Sequence, residues 1–246
     1  MKTIKFLHKW VSLILAIQCF IWLGSGLYFN LMDSKKVSGN QYRVSKQENK
    51  SFDKQKIIEP SQVLQKLPKD KNIYNLKLIS LLGKPYYLMN EHKALYPHQL
   101  NEHQLINAIS GENTVINQTF AQSIALATYT GKGRVISIKQ QLPPIDGFYK
   151  EENTLWEVNI DDDRNTSIYL DASSGRLVGH VNDDKRFADF FFMLHFMDYG
   201  LWETSRTGLF NNGVIIMLGF LMLLLCLTGC IWVVDAFRMP HRKKIV

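Results

Sequence analysis

Histidine is the residue type with the widest chemical scope in this chain, because an imidazole can bind a metal ion or transfer a proton near neutral pH. The 246 residues include seven histidines. Three of them border long apolar segments: His8, His195 and His241. Three others lie in the polar stretch NEHKALYPHQLNEHQ without a helical spacing, and we predict that they are solvated loop residues: His92, His98 and His103. The seventh, His180, lies in a predicted strand and is interpreted as structural.

His195 is surrounded in sequence by aromatic and apolar side chains. The segment DFFFMLHFMDYGLW, residues 189–202, has phenylalanines on both sides of it. If this segment is helical, Asp198 lies one turn further on and can orient the imidazole through its second nitrogen. Such surroundings suit the axial ligand of a flat apolar cofactor such as haem. The alternative interpretation is an aromatic belt at a membrane surface, in which His195 is one polar member.

Two uncharged segments are long enough to cross a membrane as helices. They run from Trp10 to Leu31 and from Gly213 to Val234, 22 residues each. About 20 residues rising 1.5 Å each cover the roughly 30 Å of bilayer hydrocarbon. The first segment could instead be a secretory signal peptide, but no convincing small-residue cleavage site follows it. We therefore predict two transmembrane helices, the first of them uncleaved.

The basic residues that flank these segments predict their orientation. Three lysines precede the first segment, and four Lys or Arg residues follow the second. By the positive-inside tendency both termini are cytoplasmic, and residues 33–206 lie outside. With Asp235 subtracted, the two tails carry six of the seven net positive charges. The basic character thus reflects topology, and it gives no support to a nucleic-acid partner.

The cysteines are confined to the apolar segments, at Cys19, Cys226 and Cys230. The outside segment can therefore form no internal disulfide, and its fold depends on its apolar core. Cys226 and Cys230 share a helix face, but without neighbouring His or Asp residues they are interpreted as packing residues and not as metal ligands.

The outside segment is predicted to be α+β. Its first part, residues 34–56, is polar and Lys-rich, which is typical of a flexible linker. A short helix at 62–67 precedes strands at 73–82, 86–90 and 94–97, and a helix at 117–130 precedes strands at 134–142, 154–160, 166–172 and 176–181. A helix followed by antiparallel strands thus occurs twice, which predicts two related units, each with a helix on one face of a small sheet.

These predictions divide the chain into eight regions. They are a cytoplasmic tail (1–9), the first transmembrane helix (10–31), a linker (32–56), the two helix-plus-sheet units (57–112 and 113–184), an interfacial aromatic segment (185–208), the second transmembrane helix (209–235) and a basic cytoplasmic tail (236–246).

Several motifs resemble those of one family. TLWEVNIDDDRNTSIYLDASSGRLVGHV, residues 154–181, resembles the C-terminal half of a PepSY domain, with its Asp-x-x-Ser-Gly hairpin turn at 171–175. FLHKWVSLILAIQCFIWLGSGLYF (6–29) is similar to the first helix of PepSY-associated transmembrane proteins. FFMLHFMDYG (191–200) and LLLCLTGCIWVVDAFR (223–238) are similar to that family's Leu-His segment and closing Thr-Gly-x-x-Trp helix. The motifs occur in the family's order, so the chain resembles a short, two-helix member.

The resemblance implies a protein of the bacterial inner membrane whose central region is periplasmic, made of tandem PepSY-like units. It also implies haem b, with iron bound by His195 and His8 and with His241 near the cofactor, in transmembrane electron transfer or ferric-siderophore reduction for iron uptake. Two histidines on opposite sides of a bilayer cannot bind one iron. We therefore expect a homodimer or larger membrane complex, in which His195 pairs with a second His195, or His8 with His241 or a second His8, together with a redox partner. The alternative function is a non-catalytic, membrane-anchored module that binds or regulates an envelope protein such as a peptidase.

Overall fold

The chain forms two compact units, one from Met1–Met32 with Ala188–Val246 and one from Asp33–Phe187. The computed structural model describes residues 2–45, 56–67, 73–197 and 209–242, the last helix by its main chain alone at 209–212 and 239–242. We call the first unit the helical unit and the second the α+β unit.

Two long helices of the helical unit are apolar enough to cross a membrane. They are α1, Lys2–Leu31, and α6, Leu209–Arg242. Large apolar side chains are exposed along both, including Phe20 and Phe220, as expected of helices that are hydrophobic on all sides and face lipid. The helices pack on each other, and His8 of α1 contacts Thr228 of α6. Lys5, earlier in α1, lies over the ring of Trp232, later in α6, so the two helices run antiparallel. The prediction of two membrane-length helices at the ends of the chain is thus confirmed.

A shorter helix, α5 (Asp183–Phe196), contains most of the aromatic residues that precede His195. Its start is well specified by sequence, because the Asn182 side chain accepts a hydrogen bond from Lys185 N at 2.9 Å. Asp183 and Asp184 also lie in the first turn, where negative charge is favourable. The aromatic segment predicted at 185–208 is therefore helical as far as Phe196.

The α+β unit begins with a helix and a four-stranded sheet. Helix α3, Pro60–Lys66, precedes four antiparallel strands paired in chain order: β1 (Asn75–Leu81), β2 (Lys84–Asn90), β3 (His103–Asn107) and β4 (Asn113–Thr114). Successive residues of β2 point to opposite faces of this sheet. Tyr87 packs with Val63 of α3 on one face, whereas Tyr86 lies in a separate core on the other.

A second helix and sheet follow in the same order. Helix α4, Gln118–Ala127, precedes the antiparallel strands β5 (Arg134–Gln141), β6 (Leu155–Asp161), β7 (Ser167–Asp171) and β8 (Leu177–Val181). The Asn117 side chain caps α4 by accepting from Phe120 N at 2.9 Å. Ile124 of α4 is buried with Val158 of β6. The α+β class is confirmed, with two antiparallel sheets of four strands.

Both sheets contribute to one core. Tyr86 and Leu105 of the first sheet are buried with Ile124, Ile168 and Leu170 of the second half. The outer face of the second sheet has its own apolar cluster, which includes Leu155 and Tyr169 together with Ile145 of the β5–β6 connection. Apolar burial on both faces of each sheet explains how this unit folds without a disulfide.

The first part of the predicted linker 32–56 is ordered, unlike the flexible segment that we expected. Residues 33–45 contain a four-residue helix, α2 (Ser34–Val37), and a single 3-10 turn. Main-chain hydrogen bonds hold them to the end of α4, from Val44 N to Thr128 O at 2.9 Å and from Thr130 N to Tyr42 O at 2.8 Å. Because these contacts are made by the main chain, the polar composition gave no sign of them.

One predicted strand, residues 94–97, is wrong. This stretch is a loop, and the third strand is His103–Asn107. Pro97 cannot donate a ladder hydrogen bond, and its carbonyl instead accepts from Arg176 at 3.0 Å. The prediction that His103 is a solvated loop residue is therefore also wrong, since His103 is partly buried in β3.

Candidate functional site

His195 bonds to α1 through its ring and its main chain. The Ser25 hydroxyl lies 2.8 Å from Nδ1 of His195, and the Trp22 indole N–H donates to the His195 carbonyl at 2.8 Å. Phe29 and Phe196 contact the imidazole edge-on, with ring centroids 5.9 and 5.3 Å away. Of the phenylalanines near His195 in sequence, Phe196 contacts the ring, and α1 supplies Phe29, which was not predicted.

The Ser25 contact defines the tautomer of His195. The Ser25 hydroxyl has one proton, and it lies 2.7 Å from the Ile21 carbonyl, which can only accept. The hydroxyl oxygen must then accept from Nδ1–H of His195. In the neutral imidazole Nε2 then carries the lone pair, and within the described part of the chain no group hydrogen-bonds to it. An imidazole held in this way has its second nitrogen available for a metal or a proton.

His8 has the same arrangement near the other end of α1. Its Nδ1 lies 2.9 Å from Oγ1 of Thr228 on α6, and that hydroxyl donates to the Leu224 carbonyl at 2.8 Å. The Trp232 ring contacts the imidazole edge-on, with centroids 5.5 Å apart. Nδ1 of His8 is therefore also the protonated nitrogen, and among the described residues its Nε2 has no hydrogen-bond partner.

Each imidazole lies beside a small-residue pair on the facing helix. A Cβ on Gly229 would lie 3.2 Å from Cε1 of His8, and one on Gly26 would lie 4.0 Å from Cε1 of His195. The Ser25-Gly26 and Thr228-Gly229 pairs thus combine a hydroxyl partner with space for the ring. Small residues permit helices to approach closely, and here the two hydroxyls also bond to the imidazoles.

The two imidazoles are far apart. His8 lies on α1, and His195 bonds to Ser25 of the same helix. His8 and Ser25 are 17 positions apart, which is about 25 Å along a helix. The two imidazoles cannot bind one metal ion, as the sequence predicted. In the residues that the structure describes, no group of three or more His, Cys, Asp or Glu side chains could hold a metal ion. A metal or cofactor would therefore be held by one imidazole at each end.

Two predicted members of the site lie outside the side chains that the structure describes. Asp198 lies outside the described residues, and His241 belongs to the part of α6 described by its main chain alone. Among the described residues, the group that orients His195 is Ser25. Two repeated patterns in the sequence could have indicated these contacts. Leu-His occurs near the start of α1 and at the end of α5, and a hydroxyl residue followed by glycine occurs once in α1 and once in α6.

The α+β unit contains a second polar network, at the β7–β8 turn. Oδ1 of buried Asp171 accepts from the main-chain N–H groups of Ser173 and Ser174, at 3.0 and 2.8 Å. Gly175 has φ +71°, so the turn has the chemistry expected from its sequence. Arg176 donates to Glu151 at 2.9 Å. These contacts account for the turn structurally.

Two histidines of this unit have lowered pKa values. Burial lowers the pKa of His180 to about 4, and the positive charge of Arg43 acts in the same direction. Its Nε2 lies 2.9 Å from the Thr128 hydroxyl, whereas its Nδ1 is buried without a hydrogen-bond partner among the described residues. Burial also lowers the pKa of His103, although Asp171 opposes the change. His180 is therefore a neutral core residue, as predicted.

Comparisons with known proteins add no relative. Neither the family models, nor the curated proteins, nor the solved structures contain a match to this chain.

Proposed function

We propose that this chain is a haem-binding protein of the bacterial inner membrane that transfers electrons to an acceptor outside the membrane. The observation that supports the proposal is the state of the two imidazoles in the helical unit. In each, Nδ1–H donates to a hydroxyl of the facing helix, and Nε2 has no partner among the described residues. A protein that orients an imidazole through one nitrogen and leaves the other free meets the requirements of an axial haem ligand.

The residues fit haem b in a specific way. His195 and His8 would hold iron through Nε2, and haem bound there would supply one-electron transfer. The hydroxyls of Ser25 and Thr228 fix the tautomers and increase the electron density of the rings. Phe29 and Phe196 beside His195, and Trp232 beside His8, would give bound haem aromatic neighbours next to its iron ligands. Low solvent access and an apolar shell are among the features by which proteins adjust a haem potential.

A second subunit follows from the ligand count. Each end of the helical unit offers one described imidazole, so two axial histidines require His195 or His8 from another copy, or His241 at the His8 end. We therefore propose a homodimer or a larger membrane complex that works with a redox partner. The two ends would then act as an inner and an outer site on a path across the membrane, with a ferric siderophore as one acceptor of suitable chemistry.

The proposed topology puts both termini in the cytoplasm and the α+β unit in the periplasm. The antiparallel pairing of α1 and α6 supports this, because it brings the two basic flanks to the same end of the helix pair. The repeated order of helix and four antiparallel strands supports tandem PepSY-like units.

The test is an absorption spectrum of the full chain, produced with ample haem, purified in detergent and measured before and after dithionite. We expect a Soret band in the wild type, and sharpened bands after dithionite is added. The intensity of these bands should be lower in His195→Ala and in His8→Ala, and the bands should be absent in the double variant. His92→Ala, which changes an exposed histidine of the α+β unit, should leave the spectrum unchanged. A folded, colourless wild-type preparation would refute the proposal and favour the alternative of an anchored binding module.

A further inference from the structure

The first strand of the α+β unit, β1, is an edge strand. It pairs with β2 in uninterrupted antiparallel register, and among the described residues no other strand pairs with it. The β1–β2 hairpin has a two-residue turn, Leu82 and Gly83, with φ values of 52° and 77°. Positive φ at both positions identifies a type I′ turn, which places a hydrogen-bonded pair directly beside it, here Leu81 and Lys84.

This turn defines which main-chain groups of β1 are unpaired. Residues alternate between facing β2 and facing away from it in an antiparallel ladder. Since Leu81 faces β2, so do Ile79 and Lys77. The N–H and C=O groups of Leu76, Leu78 and Ser80 therefore point to the open edge, where no described main-chain group bonds to them. The edge thus presents three consecutive sites for strand pairing.

The edge has little of the usual protection against pairing, with a single charge and no proline or bulge. Edge strands are commonly blocked by charges, by proline or by a bulge, but β1 has the sequence NLKLISL, with Lys77 as its single charge. Its register with β2 has no bulge. Leu78 is 39% exposed. Lys77 is exposed, and no described acid forms an ion pair with it. This strand is therefore suited to receive another strand.

A cleft lies on one face of the same strand. It has a volume of about 440 Å³ and is lined by Lys77, Ile79 and Leu81 of β1 and by Leu88 of β2, with mostly apolar surface. Residues 94–97 and Arg176 line it elsewhere. A strand added beside β1 would direct every second side chain to this face. The β1 edge can thus pair with the main chain of an added strand, and the cleft beside it can select that strand's side chains.

We propose that the β1 edge binds an extended peptide segment of another protein by strand addition. In an antiparallel arrangement, directly opposite residues share a face. The residue opposite Ile79 is then apolar and faces the cleft, the next is apolar and packs on Leu78, and the one opposite Lys77 is acidic. The ligand is therefore an extended segment with the order apolar, apolar, acidic. The inference is independent of haem, since it uses residues of the α+β unit alone.

The test uses a fluorescein-labelled synthetic peptide of about seven residues, the length of β1, with a valine-valine-glutamate centre, and the full chain in detergent. We expect saturable binding by fluorescence anisotropy, and weakening by at least about tenfold in Lys77→Glu, roughly 1.4 kcal/mol. A peptide with lysine in place of the glutamate should show the reverse order, with tighter binding to Lys77→Glu than to the wild type. A thermal melt of Lys77→Glu shows whether that variant is folded. The comparison of the two peptides on the wild type tests the charge preference without that variant.

Two N-methylated peptides test the pairing itself. Methylation of the valine opposite Leu78 blocks an N–H that faces β1 and should abolish binding. Methylation of the glutamate, whose N–H faces away, should preserve it. Equal binding of the two methylated peptides, or no saturable binding below about 1 mM, would overturn the proposal. So would a Leu78→Cys chain that forms a disulfide-linked dimer as purified, because the edge would then be occupied by a second copy.

Discussion

Nδ1 of His195 lies 2.8 Å from the hydroxyl oxygen of Ser25, and that hydroxyl donates its proton to the Ile21 carbonyl of its own helix. The same three-part arrangement joins His8, Thr228 and Leu224 near the other end of α1. Each imidazole is thereby oriented by a residue that cannot itself ionise. The proton on Nδ1 is fixed without a buried carboxylate, which would be costly within a membrane.

Ser25→Ala should weaken haem retention at the His195 end, because Nδ1–H would lose its acceptor and the ring its orientation. Loss of a partner that orients a metal-binding histidine typically costs about 10- to 100-fold in affinity. The measurement is haem per chain after titration of the haem-free protein in detergent. Ser12→Ala is the matched control, since its hydroxyl also donates to a carbonyl one turn earlier, His8 O at 2.7 Å, and in the described part of the chain it bonds to no imidazole ring. Equal effects of the two changes would contradict this role of Ser25.

Thr228→Val should remove the partner of His8 while preserving the shape of the side chain. We expect weakened retention at the His8 end alone, and recovery in Thr228→Ser, which restores the hydroxyl. Because the two ends lie about 25 Å apart, the effects of Thr228→Val and Ser25→Ala on haem affinity should be independent. Titration of the two single variants and the double variant tests this, and a double variant no weaker than the worse single variant would indicate one shared site.

The second half of the α+β unit was predictable because local signals agreed with each other. Strands β5 to β8 are rich in β-branched and aromatic residues, and the Asp171–Gly175 turn and the glycines at 131 and 133 mark their ends. In the first half, the short strand β3 reads HQLIN, and its polar ends resemble the loop before it. Leu105 and Ile106 are buried in two different cores. A strand that is buried on both faces does not alternate apolar and polar residues, so five residues give no periodic pattern from which to predict it.

The histidine sites were predictable only in part. His8 and His195 could be selected because they border apolar segments, but their partners could not. The bond from His195 to Ser25 joins residues 170 positions apart, and the bond from His8 to Thr228 joins residues 220 positions apart. Asp198 was predicted to orient the ring because it is near in sequence, and it lies outside the described residues. Helix packing brings Ser25, which is distant in sequence, to the ring. Pairing between helices depends on their relative rotation, which an almost uniformly apolar sequence leaves undefined.

Gly39→Ala should destabilise the α+β unit. Gly39 has φ +72°, and a Cβ there would lie 2.4 Å from the main-chain carbonyl oxygen of His180. The left-handed conformation alone costs about 1–2 kcal/mol for alanine, and the clash with rigid main chain adds to it. Gly147→Ala is the control, because Gly147 has φ +79° but its Cβ would meet only Val181 at 3.9 Å.

Fluorine NMR of the 5-fluorotryptophan-labelled chain can measure both changes, because Trp156 is the single tryptophan of residues 33–187. The folded and unfolded signals of Trp156 in a urea series give the free energy of unfolding of the unit. We expect Gly39→Ala to lose more than about 2 kcal/mol and Gly147→Ala about 1 kcal/mol. A smaller loss for Gly39→Ala than for Gly147→Ala would mean that residues 33–45 do not pack on β8 in the folded unit.

The free energy of unfolding of the α+β unit should decrease as the pH is lowered below the ordinary pKa of histidine, because of His180. Burial holds the pKa of His180 at about 4, against 6.5 for an unperturbed imidazole. Between these values the unfolded chain binds a proton that the folded chain does not, so stability is fully present above about pH 6.5 and is lost as the pH falls through 4. A difference of about 2.5 pH units corresponds to about 3 kcal/mol.

The Trp156 fluorine signal in urea, recorded from pH 7 to pH 4, measures this loss. His180→Gln keeps a side-chain N–H for Thr128 but cannot titrate, so it should flatten the dependence of unfolding free energy on pH. His103→Gln is the comparison: its pKa is lowered by burial, but the charge of Asp171 opposes the shift, so the change in slope should be smaller. If His103→Gln flattened the profile and His180→Gln did not, the proton that destabilises the unit would enter at β3 and not at the buried imidazole of β8.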